Sequence, residues 1–410
     1  MSLELPPWIA GLRCTLCHGT TADPWAWQCS CDKDSRTDVV FDDDAPKRMA
    51  ARLADRALDM FRYRELLPIP EGARLPPLQV GFTPVAEAER LARHLGVGRV
   101  VLKDDGRNPS ASLKDRPSAV GVVLAIAAGK DRIVCASTGN AASSTACLAA
   151  AMGIAATIFV PKRAPEPKIA QLRIFGATVL RVDADYDRTW DLCAEVAKTK
   201  PWFNRNAAVN PYLVEGKKTV ALELAEQLGE RIPSWVALSV GDGCTIAGAV
   251  KGLEQAHAAG LIPFVPRVLG VQAEGAAPIA KAFDEGSDLA LAPAVTIADS
   301  ISVAHPRNFT KAIDAVRRNG GCYVTVTDDE ILDAMRATAA LGGVFGEPAA
   351  AAATAGVKVA RERGILSAKD DVAIVVSGNG LKDTATALRA VDGPLDVAPT
   401  LEAVERALAG

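Results

Sequence analysis

A lysine that attacks a carbonyl must shed its proton near neutral pH, and Lys114 stands where that is favoured. It closes the polar run DDGRNPSASLK (104–114), after an apolar segment at 97–103 and before an apolar, helix-like segment from about Pro117 to Ala128. A cation at the positive end of a helix dipole is disfavoured, so its pKa falls and the free amine becomes a usable nucleophile. Position alone also fits the commoner case, a solvated surface lysine. Asp115 and Arg116 read equally well as an ordinary cap and ion-pair partner.

Three further turns carry residues suited to holding a small polar ligand. Ser137-Thr138-Gly139-Asn140-Ala141 opens a segment of small residues ending near Met152. Free amides at a helix start attract a carboxylate or phosphate, and Asn140 adds an amide donor, although a serine-rich cap is a common structural feature too. Gly241-Asp242-Gly243-Cys244-Thr245 offers several backbone N–H groups in a tight arc with one hydroxyl, which suits a phosphate. It lacks the Gly-Lys-Ser/Thr ending of a P-loop and is no dinucleotide fingerprint. Asp242 would repel a phosphate and is expected to point away. Ser377, in SGNGLKD (377–383), can hydrogen-bond a ring nitrogen without delivering a full charge, or serve simply as a turn residue.

The elements that must position these turns are an alternation of apolar runs and Ala-rich periodic segments. Runs at 97–105, 131–137, 155–161, 177–183, 235–241, 267–273 and 372–378 read as buried strands, and several end in a Gly- or Ser-rich turn before a helix. That alternation predicts α/β units around parallel sheets, with ligands at the strand C-termini. A helix is expected over Arg48–Arg64, followed by a Pro-rich connector at 67–77.

The composition fits a globular protein of more than one domain: 410 residues, 49% hydrophobic, 23% charged and a formal net charge of −3. Nothing in that balance calls for nucleic acid or a charged membrane surface. No apolar run approaches the roughly 18 residues of a membrane span, and the N-terminus lacks a signal pattern, so a cytoplasmic location is expected. Five of the nine cysteines, Cys135, Cys147, Cys193, Cys244 and Cys322, sit singly among apolar or small residues. Buried free thiols in a reducing compartment are the expectation.

Taken together and in order, DDGRNPSASLKDR, STGNAASS, NPYLVEGKKT (210–219), GDGCTIAG, VQAEGAAPI (271–279), GEPAAAA (346–352) and SGNGLKD resemble the threonine synthase family of pyridoxal-phosphate enzymes, which share the tryptophan-synthase-β fold. The resemblance covers about residues 75–385. It implies two three-layer α/β domains with mostly parallel sheets, known as fold type II, a larger one from 36–104 and 208–410 and a smaller one from 105–207. A Cys-rich arm at 1–35 would precede them.

The same resemblance implies that Lys114 holds pyridoxal 5'-phosphate as a Schiff base and shuttles protons. Asn140 would bond the cofactor's phenolic oxygen, and Gly241, Asp242, Gly243, Cys244 and Thr245 would form the loop around its phosphate. Ser377 would face the ring nitrogen, where a hydroxyl favours elimination or replacement over transamination. The carboxylate of an amino-acid substrate would lie against Ser137, Thr138, Gly139 and Ala141. Where the family carries an arginine that holds the phosphate of O-phosphohomoserine, this chain has Leu213, and where it tends to carry threonine it has Ala141. Leucine cannot replace a guanidinium. Arg307 and His305, in ADSISVAHPRN (298–308), could supply lost substrate contacts or belong to a surface loop.

The implied reaction is β- or γ-elimination or replacement on an amino acid carrying phosphate or another leaving group. Authentic threonine synthase, and a non-catalytic member that binds a metabolite or partner, are the alternatives. A homodimer is expected. Cys14-x-x-Cys17 and Cys29-x-Cys31, with His18 nearby, could form a structural zinc site, remain unliganded thiols or serve a redox role.

Overall fold

Parallel strands joined by helices dominate the computed structural model, which describes residues 3–32 and 35–409. The larger sheet has six strands in the order Cys322–Val326, Arg267–Ala273, Trp235–Ser239, Asp371–Val376, Arg99–Asp104 and Val85–Glu87. Its pairings are parallel except at the Val85–Glu87 edge. The smaller sheet is wholly parallel, in the order Thr178–Val182, Ala155–Pro161, Arg132–Ala136 and Phe203–Asn204. Each expected strand forms within a residue or two of its apolar run. The central strands are buried on both faces and therefore carry continuous Val, Ile, Leu and Ala runs.

Helices cover both faces of the sheets, which makes each a three-layer unit. One apolar cluster lies between the larger sheet and the helices Tyr212–Leu228 and Cys244–Ala258; another lies under Pro348–Glu362 and Asp328–Gly342 on the opposite face. The smaller sheet packs against Asp115–Ala127 and Asn140–Met152 on one side and Tyr186–Thr199 on the other.

Some segments depart from the sequence reading. The expected helix at Arg48–Arg64 breaks into an α-helix at Ala45–Ala50 and 3₁₀ turns at Leu53–Asp55 and Met60–Leu66. The Arg62 guanidinium takes the carbonyls of Leu53, Arg56 and Ala57, and Asp59 caps the Phe61 amide. A side chain thus occupies acceptors that a continuous helix would have used. The edge strands Cys322–Val326, Val85–Glu87 and Phe203–Asn204 lie outside the apolar runs read as strands.

The N-terminal arm forms an antiparallel sheet from Ile9–Cys14, Thr20–Thr21 and Thr37–Phe41. Its tryptophans dock it. Trp8 donates to Leu67 O at 3.1 Å, and the Trp27 ring meets those of Phe203 and Tyr212 at 5.8 and 6.3 Å. No helix among the described residues is long and apolar enough to cross a membrane.

Candidate active site

Three adjacent strands of the larger sheet end at one cavity. Trp235–Ser239 leads into the Gly241–Thr245 turn, Asp371–Val376 into Ser377, and Arg99–Asp104 into the loop that reaches Lys114. Lys114 and Ser377 are set opposite each other by a short antiparallel zipper. Leu113 N donates to Ser377 O at 2.9 Å and Asn379 N to Ala111 O at 3.0 Å. Ala111 makes the turn with φ of 63°, a left-handed conformation that costs a non-glycine residue roughly 1–2 kcal/mol.

The resulting cavity, about 620 Å³, is lined by Lys114, Asn140, Lys217, the whole Gly241–Thr245 turn, Ser377 and Glu347. A second, outer cavity of about 1430 Å³ shares Lys114, Asn140 and Asp242 with it and adds Ser137, Thr138, Gly139, Ala141, His305 and Arg307. The residues singled out in the sequence from four separate turns therefore converge, and Lys114 stands where the two spaces meet.

Both helix starts present amides to these cavities. Cys244–Ala258 begins after Gly243 and Asn140–Met152 after Gly139, and neither has a side chain accepting at its cap. The first N–H groups of a helix have no carbonyl of their own to bond, so an anion can take them. Gly243 adopts φ of 87°, and a Cβ there would lie 2.6 Å from the Ala312 Cβ, so the turn requires glycine. Asp242 Oδ1 accepts from Arg307 N at 3.3 Å, so its carboxylate engages the loop across the cavity mouth.

The Lys114 pKa is lowered from 10.5 to about 8, chiefly by removal from water, then by the neighbouring cations Lys217 and Arg205; Glu347 opposes the shift. Arg205 sits beneath, its guanidinium donating to Ser118 Oγ at 3.0 Å and to Lys114 O at 3.4 Å. Neither Arg205 nor Lys217 makes an ion pair with a described residue. Burial lowers the pKa of both.

Sequence reasoning missed Glu347, Lys217 and Arg205. Glu347 accepts from Asn140 Nδ2 at 2.7 Å, and burial raises its pKa. Its signal was a glutamate just before the proline that opens an alanine-rich helix buried along its first turns, where an unpaired charge is costly. Asn140 Nδ2 also donates to Ser300 Oγ at 3.2 Å. Arg307 lines the outer cavity, but its guanidinium stacks 3.9 Å from the Trp190 ring centroid and faces Asp187 at 3.4 Å and Asp191 at 4.0 Å. Leu213 is fully buried in the core, where a Cβ on Gly121 would come within 3.1 Å of it.

The start of the Lys114 helix is pinned from below. Arg116 is fully buried, with Nε 2.7 Å from Asp105 Oδ2 and Nη2 2.7 Å from Glu223 Oε2, while Lys103 Nζ lies 2.8 Å from Glu223. Two cations and two carboxylates balance there. Asp115 accepts from the amide and hydroxyl of Ser110 at 2.7 and 2.6 Å.

Away from the cavities, the sulfurs of Cys14, Cys17, Cys29 and Cys31 all lie within 4.8 Å of one another. Cys14 and Cys31 are 3.6 Å apart, and Cys17 and Cys29 3.7 Å. A tetrahedral zinc with Zn–S bonds of about 2.3 Å separates its sulfurs by roughly 3.8 Å, so the set has the dimensions of such a site.

A mostly parallel sheet brings a buried lysine, a helix start with free amides and a serine from three neighbouring strand ends to one cavity, an arrangement suited to a small anionic cofactor. The chain belongs to the pyridoxal-phosphate dependent enzyme family, whose model matches residues 77–378. It is similar to relatives named threonine synthase: that of Methanocaldococcus jannaschii is 33% identical over 97% of this chain and 98% of its own, and that of Mycobacterium leprae 36% identical over 80% and 89%. Among solved structures, a threonine deaminase isoform from Solanum lycopersicum superposes with a TM-score of 0.66 at 22% identity, covering 85% of this chain and 93% of its own. Maize serine racemase gives 0.64 at 22% identity, over 90% and 97%. The chain is thus a pyridoxal-phosphate-dependent enzyme of threonine synthase type.

Proposed function

We propose that the chain catalyses elimination or replacement at the β or γ carbon of an amino acid carrying a phosphate or other leaving group. The observation that carries this reading is the convergence of Lys114, the uncapped Gly241–Thr245 turn and Ser377 on one cavity, with a second helix start at Asn140 opening onto the adjoining space. Pyridoxal phosphate, bound there, supplies an electron sink for the carbanion formed at the substrate's Cα.

The chain's own groups divide the remaining work. Gly241, Gly243, Cys244 and Thr245 would hold the phosphate and Ser377 would face the ring nitrogen; Asn140, whose amide here donates to Glu347 and Ser300, would turn one of those donors to the phenolic oxygen. Lys114, with its lowered pKa, holds and moves the proton at Cα. The Ser137–Ala141 turn orients the substrate carboxylate against the helix amides. In the arm, Cys14, Cys17, Cys29 and Cys31 hold one structural zinc.

Purified protein should show a visible chromophore that borohydride bleaches, with the reduced adduct on the peptide containing Lys114 and no adduct in Lys114→Ala. Absence of any chromophore after adding pyridoxal phosphate would overturn the catalytic reading. Phosphorylated and acetylated hydroxy-amino acids are then the substrates to screen. Authentic threonine synthase is the second reading, favoured by the near-full-length likeness to the M. jannaschii relative. Release of threonine and phosphate from O-phosphohomoserine decides between them.

A further inference from the structure

Lys217 enters none of the roles above, yet it is the cation best placed to meet an anion on the cradle. It lies on the first turns of the Tyr212–Leu228 helix, which packs closely along Cys244–Ala258. Gly248 and Gly252 permit that approach: a Cβ on either would come within 3.1 Å of Val214 O or 2.6 Å of Lys218 O. The result is to bring Lys217 to the wall of the inner cavity, beside Cys244. The residue is only 4% exposed.

Its neighbour Lys218 shows the usual fate of a buried lysine. That ammonium pairs with Glu215 at 2.5 Å and lies over the Phe41 ring, facing away into the junction with the arm. Lys217 has no such close partner: among the described residues it makes no ion pair, and the groups of opposite sign that bear on it are the Cys244 thiol beside it and, beyond contact distance, the Asp242 carboxylate, which Arg307 N also engages. A buried ammonium without a counter-ion is costly, and so is a helix start whose amides meet no acceptor. One dianion between them would satisfy both.

We propose that Lys217 is the cationic partner of the cofactor's phosphate, completing with its side chain a site that the amides of Gly243, Cys244 and Thr245 begin. The proposal rests on the pyridoxal-phosphate reading of this cavity. Phosphate bound there would also offset the positive charge that Lys217 directs at Lys114. The lysine would thus contribute both affinity and local charge balance.

The test compares pyridoxal phosphate with pyridoxal, which lacks the phosphate, in titrations followed by the visible band and by tryptophan fluorescence. Lys217→Met keeps the apolar stem, and Lys217→Arg keeps the charge; melting curves of the cofactor-free proteins confirm that both fold. Lys217→Met should weaken pyridoxal phosphate by roughly tenfold to a hundredfold, the effect of losing a charge-assisted hydrogen bond, and should scarcely change pyridoxal. Lys217→Arg should recover part of the loss. Equal effects on the two aldehydes, or none on either, would overturn the proposal. So would unchanged cofactor affinity with a raised KM for a phosphorylated substrate, since the cation would then serve the leaving group.

Inorganic phosphate titrated into cofactor-free protein and read by ³¹P line broadening separates the two hypotheses. Phosphate binding that needs Lys217, in a protein forming no adduct at Lys114, would sink the catalytic reading and leave the anion site standing. A normal adduct with no dependence on Lys217 would sink the anion site alone.

Discussion

At the scale of single residues, the site is a balance of charges around one amine. Lys217 and Arg205 push the Lys114 pKa down and Glu347 pulls it up, with burial the largest cause. Adduct formation between pyridoxal phosphate and the cofactor-free protein should therefore rise with pH through about 8 rather than 10.5. Replacing Glu347 by Gln removes the opposing charge and should move that midpoint lower, as stopped-flow absorbance across a pH series would show; an unchanged or higher midpoint would refute the balance. The same shift bears on stability. Between about pH 8 and 10.5 the unfolded chain holds the Lys114 proton that the folded chain has lost, so this group's contribution to stability rises with pH across that window. In Lys114→Met the rise of stability across that window should be smaller by this one group's share, as denaturant titrations of both proteins at the two ends of the window would reveal; Lys218, also lowered by burial, keeps its own contribution.

At the scale of elements, Lys114 is aimed by the packing of the helix it precedes. A Cβ on Gly216 would lie 2.6 Å from Arg116 O and 2.9 Å from the Pro117 Cα, so Tyr212–Leu228 and Asp115–Ala127 touch through their backbones. Gly216→Ala must push those helices apart. The expected cost is about 1–3 kcal/mol of stability together with slower adduct formation at Lys114, measured by chemical denaturation and by absorbance. The Arg116–Glu223–Asp105–Lys103 cluster fixes the same helix start from the other side. Arg116→Met leaves two carboxylates facing one lysine in the interior and should cost roughly 3–5 kcal/mol. A loss under about 1 kcal/mol would mean that the cluster is solvated or that its carboxylates take up protons without strain.

At the scale of the whole molecule, the site lies in a cleft. The larger sheet supplies Lys114, the anion cradle and Ser377, while the Ser137–Asn140 turn follows a strand of the smaller sheet. Ion pairs straddle the gap: Lys168 with Asp299 at 2.5 Å and Arg307 with Asp187 at 3.4 Å. Both include exposed partners, and exposed pairs contribute little, so they serve mainly to orient the cleft walls. The arm is a separate stabilising device. If its four cysteines hold zinc, elemental analysis should find one metal per chain, and a strong chelator should lower Tm while leaving the cofactor's visible band intact. Metal-free protein with four rapidly titrating thiols would show that the cluster stands without an ion.

Much of the architecture was present in the sequence because its signals are local. Continuous apolar runs mark strands buried on both faces, small-residue turns mark their ends, and the order of the motifs around Lys114, Asn140, Gly241 and Ser377 carried the family. The arrangement of the turns was not local information. Strand Asp371–Val376 inserts between Arg99–Asp104 and Trp235–Ser239, and that non-sequential order is what sets Ser377 opposite Lys114. Nor could spacing distinguish Lys217 from Lys218, adjacent on one helix, where a rotation of about 100° sends one to the cavity and the other to Glu215. Glu347 gained its place only through contacts with Asn140 and Ser300, more than forty residues away in sequence. The sequence by itself determined which segments become strands, helices and ligand-holding turns, since these follow from side-chain type and period. Only the tertiary structure decided which charges meet, because burial and counter-ions come from segments that the chain brings together when it folds.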